Sequence, residues 1–111
     1  KNGVLIVGSG NMVHNLRMVD WRRLNEVDYS YDWASEASNK MKKHILSGDH
    51  KNLINYQLQG KEFSLAIPTP EHYLPLLYAV ALKDDNEEVS LFNDKAVGGS
   101  LTMTSVKINP V

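Results

Sequence analysis

Two of the four histidines in this chain lie in surroundings suited to acid–base or metal chemistry. His14 follows Gly8 and Gly10, and His72 follows the proline-rich stretch 68–70. A histidine titrates near neutral pH, and its neutral imidazole binds iron or zinc, so either residue could move protons or hold a metal. From the residues alone, His14 could equally be a loop histidine that hydrogen-bonds the backbone, and His72 a histidine that caps a helix.

An apolar run precedes His14. Residues 4–7 (VLIV) are wholly apolar and rich in β-branched side chains, which is typical of a strand buried on both faces of an α/β sheet. Gly8 and Gly10 then allow a sharp turn. Because ligands of open α/β sheets bind just beyond the carboxyl ends of the strands, this arrangement would place His14 at a binding site.

The same glycines suggest an alternative, a nucleotide-binding α/β domain. A GxG after a strand begins the dinucleotide fingerprint, but Val13 stands where that fingerprint needs a third small residue. The fingerprint also expects an acidic residue about 20 positions further on, at the end of a second strand. Asp28 and Asp32 lie instead in a polar, aromatic loop.

Other elements of the chain would have to position the two histidines. Apolar periodicity and capping residues predict helices over residues 33–46 with Asp32 as N-cap, over about 50–58, and over 75–82. Strands are expected at residues 4–7, 89–92 and 101–108. The predicted fold class is therefore α/β, a mixed and largely buried sheet flanked by helices, in which the first and last of these strands share one sheet.

The remaining aromatic residues and histidines have less specific surroundings. Four aromatic side chains cluster around one polar loop, where they could pack beneath the loop or form one wall of an aromatic substrate pocket: Trp21, Tyr29, Tyr31 and Trp33. His44 lies among lysines of the longest predicted helix, and His50 opens the next one. Both are expected to be surface histidines.

Composition limits the classes of function. The 111 residues, 42% hydrophobic and 23% charged, are enough for one small globular domain. A net charge of −1 offers no electrostatic case for binding nucleic acid or an anionic membrane. No cysteine is present, which excludes disulfides and thiolate sites and fits a reducing cytoplasm. The apolar runs are too short for a membrane span.

Three motifs carry a resemblance to a known family. They are GSGNMVHNLRMVDW around His14, PTPEHYLPLLYA around His72, and GGSLTMTSVKI near the end of the chain. In this order they resemble the carboxyl-terminal half of the DOPA-type extradiol dioxygenases, in the class III, LigB-like family. The resemblance implies that residues 1–111 are the carboxyl-terminal part of one catalytic domain. An amino-terminal half, with two more metal-binding histidines, would complete it.

The resemblance also implies a chemistry. A mononuclear non-haem Fe(II), or Zn(II) in its place, would bind a small aromatic diol, and O2 would open the ring next to the vicinal hydroxyls. His72 matches the metal ligand of the family, and His14 matches an acid–base histidine that lies close enough to coordinate as well. Asn11 and Asn15 are candidates to orient the His14 ring. The chain alone is expected to be inactive.

The early apolar strand predicts an incomplete sheet. A central strand needs neighbours on both sides, and few other strands are predicted in this chain. We therefore expect the chain by itself to expose an apolar sheet face and to be marginally stable. A non-catalytic, metal-binding fragment that needs a partner segment is the second alternative to an enzyme.

Overall fold

The computed structural model describes residues 3–110, which form four α-helices and two small antiparallel sheets. The helices are α1 (Asp32–Ser47), α2 (His50–Ile54), α3 (Lys61–Ala66) and α4 (Leu74–Ala81). The strands are β1 (Glu87–Phe92), β2 (Ala96–Val97), β3 (Leu101–Thr102) and β4 (Ser105–Pro110). β1 pairs with β4, and β2 pairs with β3. The predicted α/β class is confirmed.

α1 forms because its apolar residues recur on one helical face, where Ala34, Ala37, Met41 and Ile45 are buried. It ends at Gly48, which adopts φ 71°, a left-handed conformation that costs glycine little. The predicted helix over 33–46 is thus confirmed. The predicted cap is wrong, however, because Tyr31 occupies the N-cap position and Asp32 lies in the first turn, where its charge still favours the helix dipole.

The other helices agree with the sequence pattern less evenly. α4 confirms the helix predicted over 75–82 and accommodates Pro75 in its first turn, where no backbone bond is lost. The helix predicted over 50–58 is divided into α2 and a 3-10 turn at Tyr56–Leu58. α3 was not predicted. It buries Phe63 and Ala66, which lie one turn apart, and packs against α1.

The prediction of an interior strand at residues 4–7 is wrong. These four side chains are 60–85% exposed, and the segment has no regular secondary structure. An apolar run becomes a sheet strand only if other backbone lies alongside it. No strand within residues 3–110 pairs with this segment.

The strand predicted over residues 101–108 is also wrong as a single element. The chain leaves β3 after Thr102 and enters β4, in the other sheet, at Ser105. Between them the Met103 N–H donates to the Lys95 carbonyl at 2.8 Å, and the Thr104 hydroxyl donates to Asp94 at 2.8 Å. These bonds direct the chain out of β3. The edge strand predicted at 89–92 is confirmed as part of β1.

None of the helices in the described part of the chain combines the length and the apolar character needed to cross a lipid bilayer.

Candidate functional site

The structure brings His14 and His72 together. Their ring centroids lie 3.7 Å apart, and the ring planes are within 13° of parallel. His14 is half-buried and His72 is exposed, so the pair lies at the surface with one ring behind the other. Two residues that are distant in the sequence therefore form one cluster of imidazole nitrogens.

A largely buried, non-helical segment holds His14. Residues 11–15 pass through the interior, with Val13 fully buried. The His14 N–H donates to the Ala66 carbonyl at the end of α3 at 2.9 Å. On either side of His14, the Val13 carbonyl accepts from the Thr102 N–H at 3.1 Å, and the Asn15 N–H donates to the Ser100 carbonyl at 3.1 Å. Backbone bonds to two distant parts of the chain thus fix the position of His14.

The neighbouring asparagines support the backbone around His14. The Asn11 side-chain amide donates to the Thr102 carbonyl at 2.8 Å, and the Asn15 amide donates to the Leu65 carbonyl at 2.9 Å. We expected these amides to orient the His14 ring. Their hydrogen bonds instead join residues 11–15 to the flanking segments, where they satisfy backbone carbonyls that are partly buried.

The backbone of His72 is held against the glycine-rich segment. Its carbonyl accepts from the Asn11 N–H at 2.7 Å. A Cβ at Gly10 would collide with the same carbonyl oxygen, and a Cβ at Gly8 would come within 3.0 Å of the Pro75 carbonyl oxygen. The glycines therefore permit close contact between two backbones, which brings the two histidines together.

Tyr73 anchors the turn that carries His72. Its side chain is 1% exposed, and its hydroxyl donates to the Leu53 carbonyl at 2.7 Å. Burial raises the pKa of this phenol, so the hydroxyl stays protonated and keeps donating. Sequence reasoning missed Tyr73 as a positioning residue. The available signal was its place directly after His72, at the start of an apolar helical face.

Electrostatics favour the neutral form of His14. Burial lowers its pKa below the ordinary value, and the proximity of His72 lowers it further, while a backbone hydrogen bond opposes both effects. Two stacked imidazoles cannot both carry a proton without repulsion. At neutral pH, His14 therefore has a free nitrogen lone pair that can accept a proton or bind a metal.

The two histidines are ligands of the type that a divalent transition metal prefers, but they are too few to hold one alone. Imidazole nitrogen is a preferred ligand of Fe(II) and Zn(II). Within residues 3–110, no cluster of three or more His, Cys, Asp or Glu side chains is arranged to hold a metal. The pair supplies two donors, fewer than the three protein ligands that are typical of open catalytic metal sites.

The other two histidines lie elsewhere. His44 is near the end of α1, with its Nδ1 atom 3.6 Å from a carboxylate oxygen of Asp49. Its side chain is half-buried, with 16% exposed, so His44 lies at the surface but is less exposed than we expected. His50 is exposed at the start of α2, as expected.

A groove of about 610 Å³ opens beside His72, lined by residues 4–7, one face of α4 and residues 104–109. The predicted aromatic cluster does not line it. Tyr31 lies against Gly99, and its hydroxyl donates to the Met18 carbonyl at 2.7 Å. Tyr31 and Trp33 stack with centroids 6.1 Å apart. Of the two interpretations, the structure therefore favours packing beneath the loop for Tyr31 and Trp33, whereas Trp21 is 65% exposed.

The geometry does not support the nucleotide-binding alternative. The fingerprint places a helix directly after the glycines, so that the helix N-terminus meets the phosphates. Gly8 and Gly10 lead instead into the non-helical residues 11–15, and the next element is a short 3-10 turn at Leu16–Met18. In the described residues the strand–glycine–helix unit is not formed.

Similar proteins support the motif-based resemblance. No known family profile matches the chain. The chain is 38% identical over 109 residues to the 4,5-DOPA dioxygenase extradiol of Escherichia coli. This alignment covers 96% of this chain and 39% of that protein. Proteins of the same name from Portulaca grandiflora and Beta vulgaris are 29% and 27% identical, with 98% and 95% of this chain covered.

A solved structure shows the same relation. The crystal structure of an uncharacterized protein from Escherichia coli K12 superimposes with a TM-score of 0.73 at 39% identity, over 88% of this chain and 40% of that one. The resemblance inferred from the three motifs is confirmed. The chain spans about 39% of the length of the curated relatives it matches.

Proposed function

We propose that this chain is the carboxyl-terminal part of an extradiol dioxygenase, which uses O2 to open the ring of a small aromatic diol beside its hydroxyls. The observation that supports the proposal most is the pairing of His14 and His72 at 3.7 Å. The names of the relatives point to the same reaction and to a DOPA-like substrate. In this proposal, residues 1–111 belong to a single catalytic domain that an amino-terminal part completes.

In the proposed enzyme, His72 holds a non-haem Fe(II) together with ligands from the amino-terminal part. The exposed ring of His72 is open to a metal that such ligands would share. The His72 backbone is fixed by Asn11, and its turn is fixed by Tyr73. When bound, Fe(II) would supply the Lewis-acid and redox chemistry for the reaction of the diol with O2. Zn(II) would fit the same imidazole, so the identity of the metal is part of the test.

His14 moves the protons. Its lowered pKa leaves the ring neutral at the start of the reaction, so it can accept the proton that a diol hydroxyl loses on binding. The protonated ring can then return that proton to a later intermediate. Backbone bonds of residues 13–15 fix the segment, and stacking on His72 restrains the His14 ring, so little reorganisation is needed.

The experiment compares histidine variants of the source protein at its natural length, that is, the full-length protein to which this chain would belong. The protein is loaded anaerobically with Fe(II) or with Zn(II), and oxygen uptake and ring-opened product are measured with DOPA. We expect activity with Fe(II). His72→Ala should lose bound metal, because a ligand is removed. His14→Ala should keep most of the metal and lose activity by about 10²–10⁴-fold, the usual contribution of proton transfer.

His50→Ala is the matched control, because His50 is exposed and away from the pair. The proposal fails if His72→Ala retains metal as the control does, or if the wild-type protein shows no oxygen uptake with either metal. Metal loss in both His14→Ala and His72→Ala would make His14 a ligand as well. Bound metal without any turnover would favour the non-catalytic, metal-binding alternative.

A further inference from the structure

Residues 4–7 form an exposed apolar segment beside the site. Their side chains are 60–85% exposed, and Leu5 is the most exposed of them. The segment consists of β-branched and leucine side chains, which favour a strand covered on both faces. A contiguous apolar surface of this kind marks a place where another segment binds.

The backbone on both sides of the groove has free hydrogen-bonding edges. Within residues 3–110, no backbone hydrogen bond is recorded for residues 4–7. β4 pairs with β1 along one edge, from Ser105 opposite Phe92 to Pro110 opposite Glu87. Its other edge pairs with no strand in this part of the chain. Unpaired edges bind additional strands readily.

The groove separates these two edges. Its lining combines residues 4–7 with residues 104–109, so the apolar segment and β4 face a common space and do not pair with each other. α4 supplies a third wall through Pro75 and Ala79, and Leu82, the residue after the helix, continues the same face. An extended chain in this space would meet two free edges and an apolar helix surface.

We infer that a strand from the part of the source protein outside residues 1–111 inserts between residues 4–7 and β4. The relatives argue for this occupant, because this chain matches only about 39% of their length. The inserted strand would be apolar, like the walls that it contacts. It would join residues 4–7, β4 and β1 into one sheet covered by α4. This inference goes beyond the proposed function and does not depend on metal or activity.

Hydrogen exchange tests the backbone pairing. We would compare the 111-residue chain with the source protein at its natural length, both with wild-type sequence and without added metal. Amides of residues 4–7 and the free edge of β4 should exchange at least about 100-fold more slowly in the longer protein, because they gain partners. Amides in the middle of α1 serve as the internal reference.

A pair of variants tests the burial of side chains. Leu5 and Leu58 are 85% and 82% exposed in this chain, and Leu58 does not line the groove. Leu5→Lys and Leu58→Lys should therefore leave the Tm of the 111-residue chain unchanged. In the longer protein, Leu5→Lys should lower the Tm by about 5 °C or more, or prevent folding, while Leu58→Lys remains neutral.

Several outcomes would overturn the inference. The first is equal hydrogen exchange in the 111-residue chain and the longer protein. The second is an equal Tm for the two lysine variants of the longer protein, and the third is a source protein that is itself only 111 residues long. Protection that increases with the concentration of the 111-residue chain would assign the groove to a second copy. If exchange is equal but the longer protein consumes oxygen, only the strand inference fails, and the proposed function stands.

Discussion

Residues 4–7 and 11–15 are near neighbours in the sequence, yet the first segment is exposed and the second is largely buried. The first segment is wholly apolar and is exposed, whereas the second contains two asparagines and a histidine and passes through the interior. The difference lies in backbone partners. Val13, His14 and Asn15 all make backbone hydrogen bonds to distant residues, and no such bond is recorded for residues 4–7 within the described chain. Burial of a non-helical segment thus depends on neighbours that accept and donate hydrogen bonds to its backbone.

The glycines between the two segments give the largest expected effect. Gly10→Ala should lower the free energy of unfolding by about 3 kcal/mol, because its Cβ would meet the His72 carbonyl oxygen and force the two backbones apart. Gly8→Ala is the matched control, with a less severe contact to Pro75. Urea unfolding of both variants measures the difference. Equal losses of stability would show that the close contact at Gly10 does not hold the His14 and His72 segments together.

Two valines sharpen the comparison directly. Val13 is 0% exposed and Val7 is 79% exposed, so the same truncation removes packing in one segment and little in the other. In the 111-residue chain, Val13→Ala should cost about 2 kcal/mol, whereas Val7→Ala should change stability by less than about 0.5 kcal/mol. Thermal or urea unfolding of the pair checks this. A cost for Val7→Ala close to that of Val13→Ala would contradict the exposure of residues 4–7.

The smallest effect concerns the attachment of α3, whose Ala66 carbonyl accepts the His14 N–H. A hydrogen bond from Lys40 of α1 holds the pKa of Glu62 below its ordinary value. A carboxyl group with a lowered folded-state pKa stabilises the fold above its unfolded pKa, and this contribution is lost as the pH falls through the folded value.

Stability should therefore decrease slightly more steeply on acidification in the wild type than in Glu62→Gln, which cannot titrate. Unfolding curves between about pH 6 and pH 3, around the ordinary carboxyl pKa, measure this difference. Glu88→Gln on β1 is a control, since no ion pair is recorded for Glu88 in the described part of the chain. Parallel pH profiles for the wild type and Glu62→Gln would show that the pair contributes nothing measurable.

The sequence by itself determined the two longest helices, α1 and α4, and the resemblance. α1 and α4 follow from local properties, namely apolar residues repeated at helical spacing, Gly48 after the last turn of α1, and Pro75 in the first turn of α4. The motifs around His14 and His72 were sufficient to recognise the resemblance, because a resemblance depends only on which residues occur and in what order. A helix satisfies its own backbone, so its existence can be predicted without knowledge of the rest of the fold.

Only the tertiary structure decided which non-helical segment is buried and which residues surround the histidines. The partners of residues 11–15 are Ala66, His72, Ser100 and Thr102, which lie far away in the sequence. Extended backbone has no internal hydrogen bonds, so its burial depends on whatever lies beside it. The four apolar residues 4–7 therefore predicted an interior strand that the described chain does not form. For the same reason, the 3.7 Å approach of His14 and His72 emerges only when these distant backbones meet.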